Sequence, residues 1–145
     1  MTIVNAVQSN SGTLESSTSN KLRLWAGRII STLPALFLLI DGIMKLVKPA
    51  IVVEATVKLG YPESVIVGLG IVLVACTILY LIPRTAVFGA ILLTGYLGGA
   101  IATHVRVGDS LFPIIFPLIL AALLWSGLYL RNERLRAVVP FTERG

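Results

Sequence analysis

Four runs of apolar residues set the pattern of this chain. They extend from Leu24 to about Met44, from Ser64 to Ile82, from Thr85 to about Val105 and from Leu111 to Leu130. Each is close to the ~20 residues that an α-helix needs to cross roughly 30 Å of hydrocarbon. In a bilayer the backbone amides must be bonded within a helix or a closed barrel. Barrel strands would alternate polar and apolar residues at every second position, and these runs do not. The pattern therefore predicts an all-α fold with four transmembrane helices. Two connections are short, Pro83-Arg84 and Val107-Gly108-Asp109-Ser110. Short loops force antiparallel neighbours, so the expected architecture is an up-down-up-down four-helix bundle. Gly108 suits the position just past a helix end, and Asp109 or Ser110 can cap the next helix.

The first connection, "LVKPAIVVEATVKLGYPE", is longer. Ile51, Ala55 and Leu59 recur in it at helical spacing, and Glu54 and Lys58 form an i,i+4 pair. This predicts a short amphipathic helix lying in the membrane interface after the first span. Residues 1–20, rich in Ser, Thr and Asn, predict a disordered polar tail. They lack the basic and apolar regions of a signal peptide. Residues 21–136 then form the membrane domain, and 137–145 a cytoplasmic tail.

Composition sharpens this picture. Hydrophobic residues make up 56% and charged residues 13%, with a mean hydropathy of +0.90. A soluble domain is about a quarter charged, so this balance means an integral membrane protein with the lipid bilayer as its first partner. Cys76 is the only cysteine and His104 the only histidine. One chain therefore supplies no internal disulfide, no bis-histidine haem ligation and no ordinary zinc set. No metal site is expected, and no cofactor motif is evident. The net charge of +5 comes from residues at segment ends and in the tails. No basic patch interleaved with aromatics points to nucleic acid. Lys21, Arg23, Arg28, Arg84, Arg131, Arg134, Arg136 and Arg144 fall on one side, against Lys45, Lys48, Lys58 and Arg106 on the other. The positive-inside rule then places both termini in the cytoplasm.

On the outer side the predicted topology gathers Asp41, Lys45, Glu54, Glu63, Thr103, His104, Arg106 and Asp109. Asp41 falls within the first apolar run, where an ionisable group is expensive and needs a partner. Lys45, one turn later, is such a partner. Asp41 reads either as half of a snorkelling ion pair or as a carboxylate turned into the bundle. His104, at a helix end with Tyr96 on its face, reads either as an interfacial histidine or as a proton carrier. In the functional reading Asp41 and His104 share one polar pocket as acid/base partners. Lys45, Glu54, Tyr96, Thr103 and Arg106 then bind a ligand or orient charge.

Gly95, Gly99 and Thr103 form a small-residue stripe on the third span, expected to pack against a neighbouring helix and leaving Leu97 facing lipid. The same stripe is compatible with a homo-oligomer. Trp25 and Trp125 read as interface anchors, Cys76 as a packing residue, and Pro34 and Pro117 as sites of a bend.

The stretches "GIMKLVKPAIVVEATVKLGYPE" and "LLTGYLGGAIATHVRVG", set among four spans, resemble the DoxX-like family of small bacterial membrane proteins. The resemblance covers roughly Trp25 to Leu130 and implies a bacterial inner-membrane protein. It also implies a redox association: a subunit or small enzyme holding a quinone or another lipophilic ligand near the outer interface, with a membrane or redox protein as partner. The alternative is a non-enzymatic assembly factor or scaffold, and the residues leave both open.

Overall fold

A computed structural model describes the backbone from Thr2 to Val138 and the side chains from Ser17 to Val138. Among the described residues every regular element is helical. Helix α1 runs from Thr2 to Val47, α2 from Ala50 to Lys58, α3 from Ile66 to Leu81, α4 from Ala86 to Arg106, α5 from Leu111 to Arg131 and α6 from Glu133 to Val138. A single 3₁₀ turn, Glu63–Val65, leads into α3. Four segments are long and apolar enough to cross a membrane: Ser17–Val47, Glu63–Leu81, Ala86–Arg106 and Leu111–Arg131.

The polar segment 1–20 departs from expectation. Helix α1 begins at Thr2 and carries helical backbone through it. Polar composition removes the means to bury a face, but it does not remove backbone hydrogen bonds. Once the apolar span has nucleated a helix, each added residue gains one bond, and no proline interrupts α1 before Pro34. Of the predicted tail 137–145, only Ala137 and Val138 lie within the described residues, as the end of α6.

The long helices form a ring. Helix α1 packs on α3 and α5, and α4 packs on the same two. Helices α1 and α4 thus face each other across the interior. Lipid is as apolar as leucine, so the bundle is held by close packing and polar contacts rather than by the hydrophobic effect between helices. The core repeats at helical spacing: Leu73, Cys76 and Tyr80 on α3; Ala86, Ala90, Leu93 and Leu97 on α4; Leu120, Leu124 and Leu128 on α5. Ile71, Ile91 and Leu118 point outward and are more than half exposed, as a hydrocarbon surround allows.

Glycines set the closest approaches, but not the ones expected. A Cβ on Gly27 would stand 2.8 Å from Leu130 Cβ, and one on Gly127 would stand 3.0 Å from the carbonyl of Gly27. On Gly70 it would lie 2.9 Å from the carbonyl of Gly42, and on Gly89 it would run into the backbone of Tyr80. At Gly95 and Gly99 an added Cβ meets nothing within 4 Å. The predicted packing role of these two is therefore corrected: this half of α4 turns its bulky face inward, with Leu97 only 3% exposed, and Gly95 and Gly99 outward. Of the stripe, only Thr103 is buried. Prolines Pro34 and Pro117 are themselves buried, and both are accommodated inside continuous helices, α1 and α5.

Candidate functional site

The polar end of the bundle is built around the connector between α1 and α3. Helix α1 stops at Lys48, whose φ of 54° is left-handed. That conformation costs a non-glycine residue on the order of 1 kcal/mol. The Lys48 ammonium lies 2.6 Å from Glu63, which ties the strained turn to the start of α3. Helix α2 ends in a Schellman motif. Gly60 N–H donates to Val57 O at 2.8 Å and Tyr61 N–H to Thr56 O at 3.3 Å. Gly60 has φ 85°, and a Cβ there would also press on the Arg106 guanidinium at 3.1 Å.

Two bonds fasten this connector to the end of α4. Arg106 donates to the carbonyl of Leu59 at 2.7 Å. The hydroxyls of Tyr61 and Thr103 meet at 2.9 Å, while Thr103 also donates back to Gly99 O at 2.8 Å. The charge expected to orient a ligand, Arg106, is thus committed to the connector backbone. Glu54 is exposed on α2 and forms no ion pair with Lys58 among the described residues. The inward face of α2 is Val52, Thr56 and Leu59, with Thr56 buried. Ile51, expected on an apolar face with Ala55, is 72% exposed.

Inside the bundle, Lys45 bonds both carboxylate oxygens of Asp41 at 2.6 Å. The lysine is the more buried partner, and its stem packs against Gly70 of α3. The two charges compensate each other at a depth where neither would be stable alone. Across the interior, on α4, the Tyr96 hydroxyl lies within electrostatic reach of Asp41, Tyr61 and Cys76. The Tyr96 ring packs against the core. Among the described residues its hydroxyl has no hydrogen-bond partner. A half-buried phenol therefore offers a free donor and acceptor between α1, α3 and α4.

His104 is not part of this group. Its Nδ1 donates to Asp109 Oδ2 at 2.9 Å, and Asp109 Oδ1 accepts the Ser110 N–H at 2.8 Å. A second Schellman motif brings the pair together: Gly108, with φ 67°, donates to Val105 O at 3.1 Å and Asp109 to His104 O at 3.0 Å. The His104 hydrogen bond, aided by the Ser110 amide, holds the Asp109 carboxyl below its ordinary range. Asp41 and His104, expected to share a pocket, have separate partners: Lys45 for one and Asp109 for the other. The reason is local. The left-handed Gly108 folds Asp109 back onto the last turn of α4, so the histidine finds an acid five residues away. Asp109 is consequently not a side-chain cap for α5, and neither is Ser110. The third helical position of α5 is Pro113, which has no N–H for a cap to bind.

Tyr61 was not singled out from the sequence, where "LGYP" reads as a helix ending. The opposite end of the bundle was missed as well. There Tyr80 is fully buried and donates to Leu124 O at 2.7 Å. Buried Ser31 lies beside it, and the Arg131 guanidinium covers its ring at 4.9 Å. Trp125 is partly buried, and its indole N–H donates to Thr94 at 2.9 Å, so it ties α5 to α4 rather than acting only as an interface anchor. Trp25, 63% exposed, keeps the character of an anchor. Among the described residues no three His, Cys, Asp or Glu side chains converge as a metal site.

No curated protein and no solved structure matches the chain. One family model does. It covers residues 29–127, from the middle of α1 to the last turns of α5, which is about two thirds of the chain and takes in the whole polar end. With its four apolar helices and this match, the chain is an integral membrane protein of the DoxX-like family.

Proposed function

We propose that the protein holds a lipophilic molecule with a hydrogen-bonding head group inside the polar end of the bundle, a quinone being the chemical type that fits. The observation that carries this reading is the Tyr96 hydroxyl, which lacks a partner in the described chain and faces the Asp41–Lys45 ion pair across the interior. Such a phenol can donate to a carbonyl oxygen, and the ion pair supplies a fixed dipole beside it. The Tyr61–Thr103 pair supplies a second set of hydroxyls. Binding sites of this kind combine mostly apolar walls with a few fixed polar groups.

In this reading the helices alternate in direction through a bacterial inner membrane, both termini are cytoplasmic, and α2 lies at the outer interface. The split of basic residues between the two sides supports the orientation. With Cys76 replaced, a cysteine at Asp109 should react with a membrane-impermeant reagent on intact cells, and one at Glu133 only after lysis. The reverse pattern would turn the site toward the cytoplasm.

A short-chain benzoquinone tests the site itself. In a Trp25→Phe background, Trp125 reports from beside Thr94, half a turn from Tyr96. Saturable quenching that weakens about tenfold in Tyr96→Phe is expected, since a lost hydrogen bond in an apolar site costs ~1–1.5 kcal/mol. Linear, unsaturable quenching unaffected by Tyr96→Phe would refute the reading.

A further inference from the structure

At the opposite end, where the span of α1 begins and α5 hands over to α6, three arginines lie on elements that meet at α5: Arg23 on α1, Arg131 at the end of α5 and Arg136 on α6. Gly27 backs onto Leu130 and Arg131. Arg23 is one turn before Gly27 on the same face of α1, which sets it over the α5–α6 junction. Arg136 sits on α6, whose first turn is held by the Arg136 N–H bond to Asn132 O at 3.2 Å.

Each guanidinium is only partly used. Arg23 donates to Asn20 at 2.8 Å, Arg131 to the carbonyl of Tyr80 at 3.0 Å, and Arg136 to Glu133 at a long 3.4 Å. In all three the Nε–H is buried and has no acceptor among the described residues. Arginine cannot relieve this by losing its proton. At this end the one acid among the described side chains is Glu133, and it is 77% exposed. Arg28, Arg84 and Arg134, all exposed, add to the same positive field. Beside the arginines α1 presents an open apolar strip: Leu22 at 66%, Trp25 at 63% and Leu33 at 66% exposure.

We infer that Arg23, Arg131 and Arg136 form a binding site for the phosphodiester head of an anionic phospholipid. A phosphate carries several acceptor oxygens and suits the planar donor fork of arginine. The exposed strip along α1 suits the acyl chains, which a free phosphate ion lacks. The site is independent of the ligand proposed for the other end.

The test uses the full chain in a neutral detergent with added phosphatidylglycerol, phosphatidylcholine or inorganic phosphate. Retained lipid is read by native mass spectrometry, and the thermal midpoint is followed in parallel. Phosphatidylglycerol should be retained and raise the midpoint; phosphatidylcholine and phosphate should do neither. Replacing Arg23→Gln and Arg136→Gln together should weaken retention roughly tenfold or more. Arg84→Gln, on the exposed turn at the same end, removes one charge from the field but no donor from the site and should weaken retention far less. The Arg23→Lys, Arg136→Lys pair preserves charge but removes the Nε donors, so it should bind more weakly than wild type even if the glutamine pair fails to fold. Equal retention of both lipids, an equal loss in Arg84→Gln, full binding by the lysine pair, or a phosphate effect matching the lipid would each overturn the proposal.

Discussion

The two ends of the bundle solve different problems. Around Tyr80 the helices touch backbone to backbone: Gly89 abuts Tyr80, and Gly127 abuts Ser31. Its polar groups bond mainly to main-chain carbonyls, as Tyr80 does to Leu124 and Arg131 does to Tyr80. Around Tyr96 the polar groups meet side chain to side chain, as Asp41 with Lys45 and Tyr61 with Thr103. The connector there is held by bonds reaching over it, and one hydroxyl is left over. Close packing around Tyr80 fixes helix positions and leaves the bundle interior there no room for a guest; around Tyr96, although Gly42 and Gly70 still bring α1 and α3 together, the side-chain network can exchange partners. The contrast assigns structure to the interior of the first end and chemistry to the interior of the second.

The sharpest way to break that contrast is Gly89→Ala. The new methyl would collide with the Tyr80 backbone, and neither helix can yield locally. A loss of about 3 kcal/mol is expected, the upper end of overpacking costs, read as a lowered aggregation midpoint in detergent. Leu97→Ala comes next. The side chain is 3% exposed, and truncation should cost about 2 kcal/mol or more. Gly99→Leu should stay within about 0.5 kcal/mol of wild type because nothing lies above it. Equal midpoints for Leu97→Ala and Gly99→Leu would contradict the inward face assigned to α4.

At the polar end, Lys45→Met leaves Asp41 unpaired. The carboxylate is about a third exposed, so the cost falls to roughly 1–2 kcal/mol, below that of a fully buried pair. Adding Asp41→Leu should recover most of it; no recovery would mean that the lysine stem, not the charge pair, matters. The smallest effect is at Asp109. Its pKa is depressed, so the staple to His104 is fully present above the ordinary carboxylate range and is lost as pH falls through the lower folded value. Carboxyl NMR should show the Asp109 midpoint rising in His104→Ala, and an unmoved midpoint would remove His104 as the cause.

Much of this was legible in the sequence. The spans follow from apolar run length, and the turns at Gly60 and Gly108 follow from glycine placed just beyond a helical run. Asp41 with Lys45 follows from i,i+4 spacing. The orientation of α4 was not legible, because lipid accepts apolar residues on every face and erases the amphipathic period that marks an inward side in water. A glycine stripe then reads equally well facing in or out. The partner of His104 was left open for another reason. Topology places two acids near it, and only the left-handed turn at Gly108 decides between them. The helical start of α1 was hidden because polarity reports the lack of a packing face, not the backbone conformation.

The most direct test of the central claim is to extract the purified protein with organic solvent and identify what it carries by mass spectrometry. Wild type and Tyr96→Phe would be compared at matched bilayer-lipid content. The account predicts a lipophilic, carbonyl-bearing molecule near one per chain in wild type and strongly depleted in Tyr96→Phe. The same bilayer lipids in both, with no such molecule in either, would contradict it.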